Sequence, residues 1–245
     1  MLGGAAAFRA VILSPVKPVW SPMEPQQDRF LLAGPADAPV RFLCAHGAGA
    51  GMETPFLKTF AQLLAERGVA TLRFEFAYMA ARRSGGPRKP PPKAERLMDE
   101  YRAAVAAAGH GAPPRAPLVI GGKSMGGRVA SLVADELYAA GRVAGLVCLG
   151  YPFHPPGRPE QLRTVHLQAL ACPALIVQGD RDPFGSRAEV EALMAAKAIA
   201  PAIRFHWAGD GDHDLGPRGG SGFTRKGNLA TAADAVAAWC EARRG

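Results

Sequence analysis

The segment Gly122-Lys123-Ser124-Met125-Gly126 offers a hydroxyl that could act as a nucleophile. It follows the apolar run beginning at Leu118 and leads at once into a helical pattern, so it has the strand–turn–helix setting that a G-x-S-x-G motif requires. A nucleophile on so sharp a turn needs small residues two positions to either side, because strand and helix pack closely around it. The helix N-terminus beneath Ser124 favours developing negative charge. Gly122-Lys123-Ser124 also has the ending of a phosphate-binding loop, but that motif needs a glycine five residues before its Gly-Lys pair. Pro117 stands there, and strand residues fill the interval. A nucleotide-binding loop is rejected.

A serine hydroxyl is a weak nucleophile without a base, and the base needs a carboxylate to orient it. Two later turns supply these groups. Gly179-Asp180-Arg181-Asp182-Pro183-Phe184-Gly185 follows one apolar run, and Gly209-Asp210-Gly211-Asp212-His213-Asp214 follows the next. His213 is the candidate base, and spacing leaves the acid as either Asp180 or Asp182. The oxyanion of an acyl-transfer intermediate needs backbone N–H donors. Met125, just after the serine, should give one, and Ala48 in the glycine-rich run Ala45-His46-Gly47-Ala48-Gly49-Ala50-Gly51 the other. His46 reads as structural, and His110, His166 and His206 as surface or packing residues. Met52, Tyr78, Tyr151, Phe153, His154 and Phe184 are the candidate substrate wall, partly apolar and partly aromatic. One histidine among adjacent aspartates has no recognised ligand spacing, so neither a metal nor a cofactor is expected.

These segments lie at the ends of elements that alternate along the chain. Apolar runs at Arg29–Leu32, Val40–Ala45, Ala70–Phe76, Leu118–Gly121, Val143–Leu149, Ala174–Gln178 and Ile203–Trp207 read as strands, most of them continuous enough to be buried on both faces. Helical patterns fall between them at Thr54–Glu66, Lys93–Ala108, Gly126–Ala140, Arg187–Lys197 and Asn228–Ala242. The alternation predicts one α/β domain with a mainly parallel twisted sheet flanked by helices. All three candidate groups then sit at strand C-terminal ends, where ligands converge in such sheets. Residues 1–22 read as a loose extension or a start placed too early, with Met23 opening the domain that runs to residue 245.

The runs AHGAGAGMETPFL, LRFEFAYM, GGKSMGGRVAS, GYPFHPPG, CPALIVQGDRDPFG and DGDHDL together resemble, in order, a family of small α/β-hydrolase-like proteins. That family includes bacterial members of undefined substrate and relatives of the testis-expressed and chromatin-complex hydrolase-like proteins of animals. The chain is more distantly similar to dienelactone hydrolases. The resemblance runs from Met23 to the C-terminus. It implies the α/β-hydrolase fold without a cap domain, the place of a cap being taken by the short Pro152–Arg163 turn. It also implies a catalytic triad of Ser124, Asp182 and His213, which chooses Asp182 over Asp180. Glu75 departs from the family pattern beside the oxyanion segment, where relatives more often carry an uncharged polar residue.

Composition narrows the partners. At 245 residues, 48% hydrophobic and 20% charged, the chain is globular and can build one sizeable core. The net charge of +8 would suggest nucleic acid, but much of it lies in one Pro/Gly-rich stretch holding Arg82, Arg83, Arg88, Lys89, Lys93 and Arg96. No aromatics interleave there to stack on bases, so a solvated loop is the better reading and no nucleic acid is expected. No apolar run approaches the ~20 residues that span a bilayer, so no membrane partner is expected. Four dispersed cysteines form no CxxC pair and favour a reducing, cytoplasmic setting. The expected function is therefore a serine hydrolase acting on a small ester, thioester or lactone, with acyl transfer and perhydrolysis as variants on the same triad. The alternative is a silent interaction module of the same fold that holds an acidic partner on the basic stretch.

Overall fold

The computed structural model describes residues 29–87, 89–109 and 116–244. The N-terminal extension, Met23, Arg88 and His110 lie outside them. Seven strands form one sheet: β1 (Leu31–Ala33), β2 (Val40–Ala45), β3 (Val69–Phe74), β4 (Leu118–Lys123), β5 (Gly145–Leu149), β6 (Ala174–Gly179) and β7 (Ile203–Ala208). Their order is β1-β3-β2-β4-β5-β6-β7, with β1 antiparallel to β3 and every other pairing parallel.

Among the described residues six α-helices flank the sheet: α1 (Pro55–Ala65), α2 (Ala77–Arg83), α3 (Met98–Gly109), α4 (Met125–Ala139), α5 (Arg187–Ala195) and α6 (Arg225–Glu241). Strand residues alternate between two cores, as the period of two demands. Phe42, Cys44, Val119 and Val177 meet Leu57, Phe60 and Leu64 of α1 and Leu229 and Val236 of α6. Leu43, Ala45, Ile120 and Ile176 meet Tyr101 and Val105 of α3, Val129 and Val133 of α4 and Val190 of α5. Local chemistry sets the helix starts. Thr54 caps α1 by accepting from Leu57 N with Pro55 following, and Ser186 with Glu189 forms a capping box on α5.

Strand positions match the sequence reading to within one or two residues at most ends. The basic stretch does not. Arg82 and Arg83 belong to helix α2 rather than to a loop, and Arg96 lies in a 3-10 turn (Ala94–Leu97) ahead of α3. Arg83 Nε donates to Glu75 at 3.0 Å, and the Arg82 guanidinium donates to the Lys89 carbonyl and lies over the Tyr78 ring. Part of the run is thus engaged within the fold.

Strand order locates the site. From β2 the chain moves to β3 on one side, then returns to β4 and proceeds outward on the other. The C-terminal ends of β2 and β4 therefore flank a topological switch point, where open α/β sheets bind ligands.

Candidate active site

Ser124 leaves β4 with φ 51° and ψ −117°, a left-handed conformation that costs a side-chain-bearing residue roughly 1–3 kcal/mol and persists only where the surroundings enforce it. The surroundings do so here. Ser124 N donates to Leu149 O of β5 at 2.9 Å, and Ser124 O accepts from Arg128 N as α4 begins. A Cβ on Gly126 would stand 2.5 Å from His46 O and 2.7 Å from Ala45 O, and one on Gly122 would overlap Ala45 O. Both glycines of the motif are needed because the end of β2 presses directly on this turn.

The turn after β6 places Asp182, not Asp180, against the histidine. His213 Nδ1 lies 2.8 Å from Asp182 Oδ2. Asp182 is fully buried, and every other contact of its carboxylate is with a donor: Gln178 Nε2 reaches Oδ2 at 3.0 Å and Phe184 N reaches Oδ1 at 2.9 Å. An acceptor held this way requires a proton on His213 Nδ1, which leaves Nε2 bare. Asp180 turns away and accepts from Asp210 N at 3.2 Å. Phe184 lies against the imidazole with ring centroids 4.3 Å apart. Ser124 and His213 are both partly exposed, and among the described residues no hydrogen bond joins them. Such links in free enzymes are often long and tighten only around substrate.

The glycine-rich loop after β2 approaches Ser124 closely, since a Cβ on Gly47 would sit 3.8 Å from Ser124 Cβ. The amide of Met125 opens α4, and neither it nor the amide of Ala48 donates to a backbone acceptor among the described residues. Tyr78 Oη donates to Ala48 O at 3.0 Å and fixes the loop from behind. Burial pushes the Tyr78 hydroxyl up to about 12, so it remains a donor at neutral pH. His46 is buried and structural: Nδ1 donates to Gly47 O at 2.6 Å and Nε2 accepts from Phe76 N at 3.1 Å. Burial lowers its pKa, in keeping with a neutral ring.

Most of the expected substrate wall is buried. Tyr151 and Phe153 have no exposed surface and pack in the core, and Met52 and His154 are nearly as buried, so as they stand these four side chains offer a ligand almost nothing. Tyr151 Oη donates to Arg163 O, and His154 Nδ1 to Pro155 O. Tyr78 is half-buried and committed to the loop. Phe184 is the expected wall residue that packs against the His213 ring. The departure at Glu75 is structural, because its carboxylate accepts from Met52 N and from Arg83 behind the glycine-rich loop.

A second serine–histidine pair also exists. Ser131 Oγ and His166 Nε2 lie 2.8 Å apart between α4 and the 3-10 turn Val165–Ala169. Ser131 is buried and donates to Arg128 O, while Tyr151 Oη donates to Arg163 O, so the shared proton belongs to His166 Nε2. A histidine that donates to a serine cannot deprotonate it.

Sequence reasoning missed Gln178 and Lys123. Each is a polar residue at the C-terminal end of an otherwise apolar strand, and that break in the pattern was the available signal. Among the described residues, no group of three or more His, Cys, Asp or Glu side chains could hold a metal ion, and no helix is long and apolar enough to cross a membrane.

Residues 38–241 match a family model described as an alpha/beta hydrolase domain. The chain belongs to that family. It is accordingly an α/β-fold hydrolase. Solved structures share its fold at low identity. A dienelactone hydrolase from Anabaena variabilis matches with a TM-score of 0.63 and 21% identity, covering 86% of this chain and 90% of its own. An α/β serine hydrolase homologue from Coxiella burnetii matches with a TM-score of 0.61 and 20% identity, covering 85% and 89%. An α/β serine hydrolase without lid from Xanthomonas campestris gives 0.60 and 18%, covering 85% and 87%.

Proposed function

We propose that this hydrolase uses Ser124, His213 and Asp182 as a catalytic triad to cleave a small ester, thioester or lactone through an acyl-enzyme. The observation that carries the reading is the 2.8 Å bond from His213 to a buried, fully satisfied Asp182, on the same sheet edge as a serine held at positive φ. In this reading Ser124 Oγ attacks the carbonyl carbon as His213 Nε2 accepts its proton. Asp182 stabilises the imidazolium, and the Met125 and Ala48 amides hold the oxyanion. The intermediate collapses and the leaving alcohol or thiol takes the proton from His213. Water then repeats the sequence on the acyl-enzyme, with His213 again as base.

The likeness to the Xanthomonas campestris hydrolase without lid supports a site open to small acyl substrates, and the narrower kinship with the animal hydrolase-like proteins rests on the sequence motifs. Four free, buried cysteines support a reducing setting, with burial raising the thiols of Cys44, Cys172 and Cys240 to about 12 and that of Cys148 further.

A fluorophosphonate probe should label the wild-type protein covalently and leave Ser124→Ala unlabelled. A folded wild-type protein that never labels and never turns over p-nitrophenyl acetate would overturn the reading.

A further inference from the structure

We propose that Lys123 is a positioning residue for the catalytic base: its buried ammonium ties the His213 loop to the strand that carries the nucleophile. The proposal rests on the reading of His213 as base. Lys123 is the last residue of β4, and its side chain points to the α1/α6 face, as that of Val119 does. Its Nζ donates to His213 O at 2.8 Å and pairs with Asp214 Oδ1 at 3.2 Å. Only 9% of the side chain is exposed, and Nζ lies 5.4 Å from the centre of the Phe56 ring on α1.

A buried ammonium is costly unless paired, so an apolar residue would serve packing better at this point. What the lysine adds is a connection. Within the segment from Asp212 to Gly216, Asp212 accepts from Asp214 N and Gly216 N, Leu215 N donates to Asp212 O, and Asn228 Nδ2 of α6 donates to Leu215 O. The His213 ring is held from β6 by Asp182. Among the described residues, Lys123 supplies both polar contacts that run from this loop to β4, to His213 O and to Asp214 Oδ1. One end of the tether is the residue next to Ser124, and the other is the backbone of His213. Lys123 thus links the nucleophile's own strand directly to the base, whereas Asp182 and Asn228 hold the loop from other elements.

The tether also sets charge. Lys123 faces Asp214, Asp182 and Asp212, and burial lowers its pKa against the raising effect of those three carboxylates. Lys123→Met removes a positive charge beside the His213 backbone and Asp214→Asn a negative one, so the two changes are of opposite electrostatic sign. Loss of the lysine and loss of its partner should therefore move the base in opposite directions. A loop that is merely loosened would respond to both in the same way.

The test compares Lys123→Met, Asp214→Asn and Lys123→Arg in the full chain, with p-nitrophenyl acetate as substrate. In Lys123→Met, kcat should fall about 10–100-fold with KM little changed, as for a base displaced by about 1 Å. The acid limb of kcat/KM should move to higher pH in that variant and to lower pH in Asp214→Asn. Lys123→Arg, which keeps a cation and donors, should recover part of the rate. A folded Lys123→Met with wild-type kcat and acid limb would overturn the proposal, as would both variants moving the limb the same way. If Lys123→Met does not fold, Asp214→Asn and Lys123→Arg still decide it: a wild-type acid limb in the first, or no activity in a folded second, counts against the tether. If the wild-type protein neither labels nor turns over, the hydrolytic reading fails separately. NMR titration of the His213 ring then decides the placement of Lys123, with opposite displacements in the Met and Asn variants supporting it and none overturning it.

Discussion

At the scale of single residues, two aspartates two positions apart have separate roles. Asp182 closes on His213 and Gln178, whereas Asp180 serves the Asp210 turn. Spacing could not separate them, because both lie in the same turn after β6 and their directions depend on tertiary contacts. We expect Asp182→Asn to lower kcat by about 10³–10⁴-fold with the fold intact, since an amide can stabilise the wrong tautomer. Asp180→Asn should lose less than about 10-fold, as a change in a half-buried turn whose carboxylate bonds to Asp210 N and not to the base. Steady-state kinetics on one ester checks both. The same limit explains the substrate wall: an aromatic residue after a strand has the same signature whether it lines a pocket or, like Tyr151 and Phe153, fills the core.

At the scale of elements, the strands were legible because continuous apolar runs such as VRFLCA and ALIVQG leave little choice. Helix α2 was not, since its seven residues follow β3 after only two others and carry too little periodicity to stand out. Yet α2 delivers Tyr78 to the glycine-rich loop proposed to hold the oxyanion. Tyr78→Phe removes one hydrogen bond, worth about 1 kcal/mol net. If the bond orients the Ala48 amide, kcat should fall roughly 3–10-fold with KM nearly unchanged, by the rate equivalence of such energies. A variant with unaltered kcat would show that the loop holds its shape without this anchor.

At the scale of the whole molecule, burial of neutral histidines makes stability depend on acid. Burial, aided by Arg128, lowers the pKa of His166 from 6.5 to about 4, and burial lowers that of His46 as well. Between those two pH values the unfolded chain binds more protons than the native one. The contribution of His166 is therefore complete above pH 6.5 and is lost as pH falls towards 4. One pKa unit corresponds to about 1.4 kcal/mol at full effect. The ring is only partly buried, so screening should leave about 1–2 kcal/mol across the window. His166→Gln keeps a donor for Ser131 and removes the titration. Its urea midpoint should vary less between pH 6.5 and 4 than that of the wild type. An equal slope would mean that His166 titrates normally.

The turn between α4 and β5 divides the proposed machinery along the chain. The nucleophile and both oxyanion donors precede Gly141, while acid and base follow it. Gly141 is exposed, at φ 65°, in the α4–β5 turn at the opposite edge of the sheet. Cleaving the chain there would leave two half-enzymes, each without function alone, that meet through the β4–β5 ladder. Co-expressed fragments 1–141 and 142–245 should regain fluorophosphonate labelling that neither shows separately, making the protein a reporter of its own reassembly.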